Sequence, residues 1–372
     1  MLQSVLIIGL GLIGGSLAAA TARMQPAPEA AGIDADPAAC RTAVERGFVS
    51  QAWTEKDALS QGVLGPGRFD LVVIATPVGQ AIKWLDRLAD AGFDGIVTDV
   101  CSTKSAIVAH AARLDPPYTF IGGHPMAGSE RSGIDAAAET LFDGAYYVLT
   151  PTSGTDTGAF RAMHEFVTRL GARPIAIPAE SHDEAVALIS HVPHVAAAAL
   201  VALVAEQPAG NEALRLAAGG FKDMTRIAAG SPDLWTGICL ENADRIASGL
   251  ARLEGVIERF RDAVVRKDAQ AVRSLLAQAA EIRRSLPARW VPASATLYEL
   301  AIPMRDRPGV ISEITTLVGR AGCNIEDIEI DHVTEDSAVL RVVLTDEGDR
   351  EGLLRALRET GYSASVRVLE EG

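Results

Sequence analysis

A glycine pattern near the start of the chain limits the possible folds more than any other feature. Strand-like residues 4–8 lead directly into Gly9, Gly11 and Gly14, and the residues after them are helical in character. A G-x-G-x-x-G turn between a strand and a helix is typical of parallel sheets whose strands are connected by helices. The pattern therefore predicts an α/β domain of the doubly wound type at the start of the chain.

The same turn predicts a dinucleotide site. Gly9 allows the tight turn, Gly11 lets the backbone approach a pyrophosphate, and Gly14 allows close helix–strand packing. A pyrophosphate is favoured at a helix N-terminus by unpaired N–H groups and the helix dipole. Asp34, twenty residues after Gly14, would accept hydrogen bonds from the ribose hydroxyls. Its carboxylate repels a 2′-phosphate, so we predict NAD rather than NADP. The predicted cofactor contacts are Gly9, Gly11, Leu12, Ile13, Gly14, Asp34, Thr76 and Pro77.

Hydrophobic patterning divides the rest of the chain. Near-continuous apolar strands alternate with helical stretches up to residue 178, whereas 180–285 contains no convincing strand. Residues 180–206 predict one long apolar helix, bent near Pro193 and buried in a helical bundle across a homodimer. The tail follows the order βαββαβ of ferredoxin-like domains. The predicted domains are 1–178 (Rossmann), 179–287 (helical substrate and dimerisation domain) and 297–372 (regulatory), with a linker over 288–296.

Charge and cysteine content narrow the function classes. The 372 residues carry a formal net charge of −14, which argues against nucleic acid and anionic membranes as partners. Four scattered cysteines, without a CxxC pair, indicate reduced thiols in the cytoplasm and no metal site. The apolar run 195–205 is too short to span a bilayer.

Two loops after predicted strands carry candidate catalytic side chains. Ser102 follows the strand that ends near residue 100, and His124 is expected to close another strand at the same sheet edge. A histidine accepts a proton near neutral pH, and Pro125 keeps its backbone extended. The alternative for Ser102 or Thr103 is a helix N-cap, and for His124 an ordinary loop position.

The helical region adds possible substrate contacts. His191 and His194 lie three residues apart on one helix face, and we expect one to contact substrate and the other to pack. Lys222, Asp223 and Arg226 follow two glycines, and an arginine fork binds carboxylates bidentately. The alternative for this cluster is a solvated charged face.

These motifs together resemble one enzyme family. In order along the chain, they are GLGLIGGS, ATPV, TDVCSTK, GGHPMAGSE, SHVPH and GGFKDMTRIA…LW…LEN. Over about residues 1–285 they resemble the prephenate dehydrogenases of tyrosine biosynthesis. Cys101 departs from the pattern, because glycine is commoner before Ser102. The tail segment DRPGVISEITTLVGRAGCNIEDIEI looks like an ACT domain, a small-molecule sensor that often binds amino acids.

The resemblance implies a reaction and a role for each candidate residue. Prephenate would lose a hydride to NAD and its ring carboxylate as CO₂, giving 4-hydroxyphenylpyruvate. His124 would take the hydroxyl proton, and Ser102 would hydrogen-bond both that hydroxyl and His124. The resemblance implies that Arg226 holds a substrate carboxylate and that His194 contacts the pyruvyl end. Glu130 would form an ionic network with Lys222, Asp223 and Arg226. Trp235 would pack near the site, from either subunit.

The ACT resemblance also implies an effector. L-tyrosine is the expected feedback ligand, and Arg307, Gly309 and Asn324 occupy the positions where ACT dimers usually bind ligands. The ACT domains are expected to pair as well.

Three alternatives stay open on the sequence alone. Arogenate dehydrogenase performs the same chemistry on the amino form of the side chain. A β-hydroxyacid-type dehydrogenase would need a catalytic lysine on the bundle, where Lys222 is the only one between Lys104 and Lys267. A non-catalytic NAD-responsive regulator is disfavoured by the set of proton-handling residues.

Overall fold

The computed structural model describes residues 2–128, 131–208, 214–285, 297–305, 310–323, 325–334, 337–344 and 348–369. The chain divides into two units, Met1–Ile257 and Glu258–Gly372, each of which is described by itself.

A parallel sheet of six strands organises the first unit. Its strand order is β3-β2-β1-β4-β5-β6, the arrangement of dinucleotide-binding domains. The strands are β1 (Ser4–Ile8), β2 (Glu29–Asp34), β3 (Gln51–Thr54), β4 (Leu71–Ile74), β5 (Ile96–Asp99) and β6 (Thr119–Phe120). The connecting helices are α1 (Leu12–Ala22), α2 (Pro37–Glu45), α3 (Glu55–Ser60), α4 (Val78–Asp90) and α5 (Ser105–Leu114). The predicted Rossmann domain is confirmed.

Alternation along the central strands builds a core on each face of this sheet. In β1, Val5 and Ile7 join one buried cluster, whereas Leu6 and Ile8 join the other. Successive side chains of a strand point to opposite faces, so a run that is apolar throughout serves both cores. The chain reverses its winding between β1 and β4, and the carboxyl ends of these two strands border the predicted nucleotide site.

The strands after β6 form a separate mixed sheet. β7 (Gly122–Pro125) pairs antiparallel with β8 (Tyr146–Thr150), and β8 pairs parallel with β9 (Arg173–Ala176), while α6 (Thr157–Arg169) lies between them in sequence. The expectation that His124 closes a strand of the main sheet is therefore wrong. Strand β6 ends after two residues, and His124 lies inside β7, opposite Val148.

Helices make up the described part of the chain from 179 to 285, as predicted. They are α7 (Ala179–Val186), a π-helical turn (Ala187–His191), α8 (Val192–Ala205), α9 (Gly219–Thr225), a 3₁₀ turn (Arg226–Ala229), α10 (Pro232–Glu241), α11 (Ala243–Val265) and α12 (Ala269–Ser285). The irregularity expected at Pro193 lies before it, in the π turn. Proline has no N–H for the preceding turn, and the wider turn accommodates that loss.

The stretch Ala179–Ala205 is long and apolar enough to cross a membrane by length and composition alone. This differs from the expectation drawn from the shorter run 195–205. The helical stretch nevertheless carries His182, Asp183 and His191, all buried and hydrogen-bonded to other parts of the protein. These contacts are those of a helix packed inside a protein.

The second unit ends in a small antiparallel sheet of order β11-β12-β10-β13. Its elements are β10 (Leu297–Arg305), α13 (Val310–Arg320), β11 (Ile325–Thr334), β12 (Ser337–Leu344), α14 (Arg350–Glu359) and β13 (Ser365–Leu369). Leu300, Ile314, Leu340 and Leu353 are among its buried core residues. The βαββαβ prediction is confirmed. The predicted linker 288–296 and the predicted effector residues Arg307, Gly309 and Asn324 lie outside the described residues.

Candidate active site

The glycine turn after β1 leaves room for a pyrophosphate. Gly9 has a φ of 96°, and a Cβ there would lie 2.5 Å from the carbonyl oxygen of Ala75. A Cβ on Gly14 would lie 1.8 Å from the carbonyl oxygen of Gly9, so only glycine lets α1 pack this closely. A Cβ on Gly11 would meet no atom within 4 Å. The first and third glycines therefore serve the turn and the packing, while the second leaves open space.

Asp34 is held by the main chain at the end of β2. Its Oδ2 accepts a hydrogen bond from the N–H of Leu10 at 2.6 Å, and its Oδ1 accepts one from the N–H of Asp36 at 2.8 Å. The half-buried carboxylate is thus fixed beside the glycine turn. This position fits the ribose contact expected from the sequence.

The surroundings of the turn also fit a bound dinucleotide. Leu12 and Ile13 open α1, whose N-cap has no side-chain hydrogen bond and whose first turn carries no acidic residue. The Oγ1 atom of Thr76 is buried and has no partner in the described part of the chain, and Pro77 is the N-cap of α4. An open helix N-terminus and an unpaired hydroxyl are suited to phosphate and ribose oxygens.

A buried ion pair clamps the residue before His124. The ammonium of Lys104 pairs with the carboxylate of Asp99, and both side chains are fully buried. Lys104 Nζ also donates to the carbonyl oxygen of Gly123 at 2.7 Å, while Asp99 Oδ1 accepts from the N–H of Gly123 at 3.2 Å. A Cβ on Gly123 would lie 2.6 Å from the carbonyl oxygen of Asp99. These side-chain bonds to Gly123 fix the backbone that carries His124.

The imidazole of His124 is the first member of a buried chain of hydrogen bonds. Its Nδ1 lies 2.8 Å from Nε2 of His182, and His182 Nδ1 lies 2.8 Å from Oδ1 of Asp183. Burial, together with the neighbouring His182 and Lys104, lowers the pKa of His124 well below its usual value. The ring is therefore neutral at physiological pH, and a neutral ring can accept a proton.

Ser102 and Thr103 do not cap the following helix. Helix α5 begins at Ser105, its N-cap residue is Lys104, and no side chain of that residue caps it. The hydroxyl of Thr103 donates to Glu241 at 2.7 Å instead. Ser102 is half-buried, and the hydrogen bond expected between Ser102 and His124 is absent among these described residues. Since His124 Nδ1 is bonded to His182, Ser102 could reach His124 only at Nε2, and that contact stays a prediction.

The two histidines of the SHVPH motif have different surroundings. His191 is buried, and its Nδ1 lies 3.3 Å from the side-chain amide of Asn242. Burial lowers the pKa of His191 to about 4. His194 stacks on Trp235 of the same chain, with ring centroids 3.4 Å apart and planes at 14°. His191 is thus the packed, hydrogen-bonded member of the pair, and Trp235 contacts His194 within its own chain.

The cationic cluster lies on the surface next to α8. Lys222 and Asp223 are exposed on α9, and Arg226 is exposed on the 3₁₀ turn that follows. Both elements pack against α8, the helix of His194. Glu130 lies outside the described residues, so its ionic network with this cluster stays a prediction.

Sequence reasoning missed the residues that hold His124. These are His182, Asp183, Lys104 and Asp99, none of which is among the candidates, although all four are near the predicted ones. Adjacent His and Asp at the start of a helix were the only available signal for His182 and Asp183. Among the described residues, no group of three or more His, Cys, Asp or Glu side chains is placed to hold a metal ion.

A dinucleotide-binding fold with a half-buried, neutral histidine in its second sheet is the arrangement expected of a nucleotide-dependent dehydrogenase. Comparisons with known proteins identify the family. Residues 17–176 match the model for the nucleotide-binding domain of prephenate dehydrogenase, 178–278 that for its dimerisation domain, and 298–361 the ACT domain. The chain is 36% identical over 359 residues to the prephenate dehydrogenase of Bacillus subtilis (strain 168), and the alignment covers 94% of each chain.

Solved structures agree with this match. The prephenate dehydrogenase of Aquifex aeolicus, in complex with hydroxyphenyl propionate and NAD⁺, superposes with a TM-score of 0.71 at 28% identity, covering 77% of this chain and 99% of that one. Arogenate dehydrogenase from Synechocystis has a TM-score of 0.64 at 32% identity, covering 76% and 99%. The chain belongs to the prephenate dehydrogenase family and is an NAD-dependent oxidoreductase.

The open space at Gly11 leads to a prediction about cofactor affinity. Gly11→Ala is expected to leave the melting temperature unchanged, because its methyl group meets no protein atom, and to weaken NAD binding about tenfold or more, roughly 1.4 kcal/mol. Calorimetric titration with NAD measures the dissociation constant. Gly319→Ala, whose Cβ is equally unhindered in α13, is the control. Unchanged NAD affinity in Gly11→Ala would show that the pyrophosphate does not bind at this turn.

The buried His191 leads to a prediction about stability and pH. Its folded pKa of about 4 lies below the ordinary value near 6.5, so unfolding takes up a proton as the pH falls from 6.5 to 4. Its contribution to stability is complete above 6.5 and should fall by about 2 kcal/mol between pH 7 and pH 5. Protonation of His191 would also place its Nδ1–H opposite the side-chain N–H of Asn242, so that two donors would face each other.

Urea unfolding, followed by tryptophan fluorescence at both pH values, tests this effect. In His191→Asn the pH-dependent loss should shrink by about 2 kcal/mol, whatever the substitution costs at pH 7. His110→Asn changes a partly exposed histidine and should keep the full pH dependence. Equal pH dependence in wild type and His191→Asn contradicts the prediction.

Proposed function

We propose that this enzyme oxidises prephenate with NAD to give 4-hydroxyphenylpyruvate, CO₂ and NADH, a step of tyrosine biosynthesis in the cytoplasm. The observation that carries the proposal is His124, a neutral imidazole whose backbone is clamped at Gly123 and whose Nδ1 is occupied by His182. Only Nε2 is left to meet a substrate. The match to a prephenate dehydrogenase along 94% of both chains supports the choice of substrate.

The chemistry needs one proton acceptor and no external acid. NAD, when bound, supplies the acceptor for the hydride that leaves the hydroxyl-bearing carbon. His124 Nε2 takes the proton from the hydroxyl as that carbon becomes a carbonyl. The ring carboxylate then leaves as CO₂, its bonding electrons complete the aromatic ring, and the oxygen takes its proton back from His124 as a phenol. His124 takes one proton and returns one proton, so the reaction releases no proton to solvent.

Binding falls to polar residues around that ring. Prephenate carries two carboxylates, so an acidic protein needs local cations to hold it, and Arg226 and Lys222 lie on elements packed against the helix of His194. We assign a carboxylate to Arg226, the pyruvyl end to His194 and its stacked Trp235, and the hydroxyl to Ser102. Glu130 and Asp223 would complete the ionic network at the pocket mouth.

Arogenate is the competing substrate, because it presents the same ring with an amino group in place of the keto group. The structural similarity to the Synechocystis arogenate dehydrogenase is the reason to test arogenate as a substrate. The Bacillus subtilis relative, which matches over a larger share of this chain and includes the region of the tail, favours prephenate.

Assembly and regulation complete the proposal. A homodimer through the helical domain would cover apolar side chains that are exposed in one chain, such as Ile189 on the π turn and Leu276 and Ile282 on α12. The match of 178–278 to a dimerisation domain supports this. L-tyrosine would bind the ACT domains, which would pair with one another, and reduce activity by feedback.

The catalytic assignment is tested by assay of the purified chain. We expect NADH and CO₂ in equal amounts from prephenate, and a higher kcat/KM for prephenate with NAD than for arogenate or with NADP. His124→Asn should keep its NAD affinity and lose about 10²–10⁴ in kcat, the usual contribution of general acid–base catalysis. His110→Asn, on the surface, should keep wild-type kcat. Full turnover in His124→Asn would remove His124 from the mechanism.

The effector assignment is tested on the full-length chain. L-tyrosine should release or absorb heat on binding and should lower kcat/KM at fixed prephenate. Asn324→Ala should weaken binding and inhibition together, because the change is confined to the ACT domain. Inhibition that is purely competitive with prephenate and unchanged in Asn324→Ala would place tyrosine in the active site instead.

A further inference from the structure

We propose that His182 and Asp183 are positioning residues for His124: they select the tautomer that exposes Nε2 as a proton acceptor, and they stabilise the ring once it is protonated. This inference rests on the proposed role of His124 in the reaction. It assigns work to two buried residues of α7 that no motif singled out.

Asp183 is anchored where the chain of hydrogen bonds ends. Its Oδ1 accepts from the N–H of Lys104 at 2.7 Å, and its Oδ2 accepts from the N–H of Ser105 at 2.8 Å, both at the start of α5. Burial alone would raise the pKa of Asp183, but the bonds from His182, Ser105 and Lys104 outweigh burial and lower it to about 2. The carboxylate is ionised at any working pH and can only accept hydrogen bonds.

An acceptor at this end fixes the direction of every bond in the chain. His182 must donate through Nδ1–H to Asp183 Oδ1, so a neutral His182 has a lone pair on Nε2. That lone pair accepts from His124, which must carry its own proton on Nδ1. The remaining nitrogen of His124, Nε2, is then an acceptor. The opposite tautomer would leave two lone pairs facing each other across 2.8 Å.

The same chain stabilises the protonated ring. When Nε2 takes the substrate proton, the positive charge of His124 is linked through His182 to an ionised carboxylate. Ionisable groups around His124 act in opposite directions: Lys104, His182 and His191 disfavour protonation, and Asp183 favours it. Asp183 is therefore the group that stabilises the transiently protonated ring of His124.

The buried location suits a proton that must return to the substrate. His182 and Asp183 are 1% and 2% exposed, so bulk water does not compete for the hydrogen bond between them. Because the hydroxyl proton is handed back to the same oxygen, an exit route to solvent is unnecessary. The pair holds charge next to the substrate for the duration of one turnover.

Two substitutions separate orientation from charge. His182→Gln places an amide oxygen near the position of Nε2, so it still accepts from His124 Nδ1–H but passes no charge to Asp183. We expect about a tenfold loss in kcat with unchanged NAD affinity. Asp183→Asn keeps the shape and removes the charge, and it should lose 10²-fold or more within the range of general acid–base catalysis. Its acid limb of kcat/KM should move to lower pH, because the carboxylate that favours protonation of His124 is gone.

The partly exposed pair of His110 and Asp86 provides the matched control. Its nitrogen–oxygen distance is also 2.8 Å, and the corresponding variants His110→Gln and Asp86→Asn should leave both kcat and the pH profile unchanged. A melting temperature near that of wild type identifies variants that are folded. If Asp183→Asn fails to fold, because a carboxamide cannot accept from both N–H groups of α5, His182→Gln alone decides.

A measurement without substrate makes this test independent of the proposed reaction. In ¹⁵N-histidine spectra of the NAD-bound enzyme, His124 should appear as the Nδ1–H tautomer, and His182→Leu should abolish that preference. The Nε2–H tautomer in wild type, or wild-type kcat with an unshifted pH profile in His182→Gln, overturns the inference. The correct tautomer together with no turnover of prephenate would instead overturn the proposed substrate and leave the positioning role standing.

Discussion

The start of α5 is the point on which the active site depends. The N–H groups of its N-cap residue, Lys104, and of its first residue, Ser105, are satisfied by Asp183, a side chain from a helix 78 residues later. The side chain of Lys104, at the same position, reaches Asp99 at the end of β5 and the backbone of Gly123 in β7. One helix terminus therefore ties together the parallel sheet, the second sheet and the helical region. His124 lies where these three parts meet.

The buried pair of Lys104 and Asp99 has a high desolvation cost, and it also specifies the local backbone structure. Taking both Lys104 and Asp99 out of water costs several kcal/mol per ion, which their attraction repays only with good geometry and further hydrogen bonds. Those further bonds go to both backbone groups of Gly123 and to the N–H of Cys101. An apolar pair would fill the same volume without addressing any backbone group. The ion pair thus fixes the course of the backbone that carries His124, rather than adding much to net stability.

Features formed by residues close together in the chain can be predicted from the sequence, whereas contacts between distant residues cannot. The glycine turn, Asp34 and the βαββαβ tail depend on residues close together in the chain, so their spacing predicted them. The position of His124 after a strand predicts a catalytic role, but that strand belongs to the second sheet and not to the main one. Its partner His182 is 58 residues away and became visible only when the helical region was placed against β7. The π turn before Pro193 was equally hidden, because a proline signals a disturbance without saying which turn absorbs it.

A half-buried histidine of low basicity suits the timing of the proposed reaction. A free hydroxyl is far too weak an acid to protonate such a ring, so the ground state stays neutral and uncharged. As the hydride leaves, the hydroxyl becomes a protonated carbonyl, which is strongly acidic, and even a weak base then accepts its proton. After CO₂ is lost, the same ring, still weakly basic, returns the proton readily to the nascent phenolate. Efficient proton transfer in both directions needs a pKa between those of the two oxygen species. Burial lowers the basicity of His124, whereas Asp183 restores part of that basicity. The balance between these two opposing effects gives the ring a pKa that suits both proton transfers.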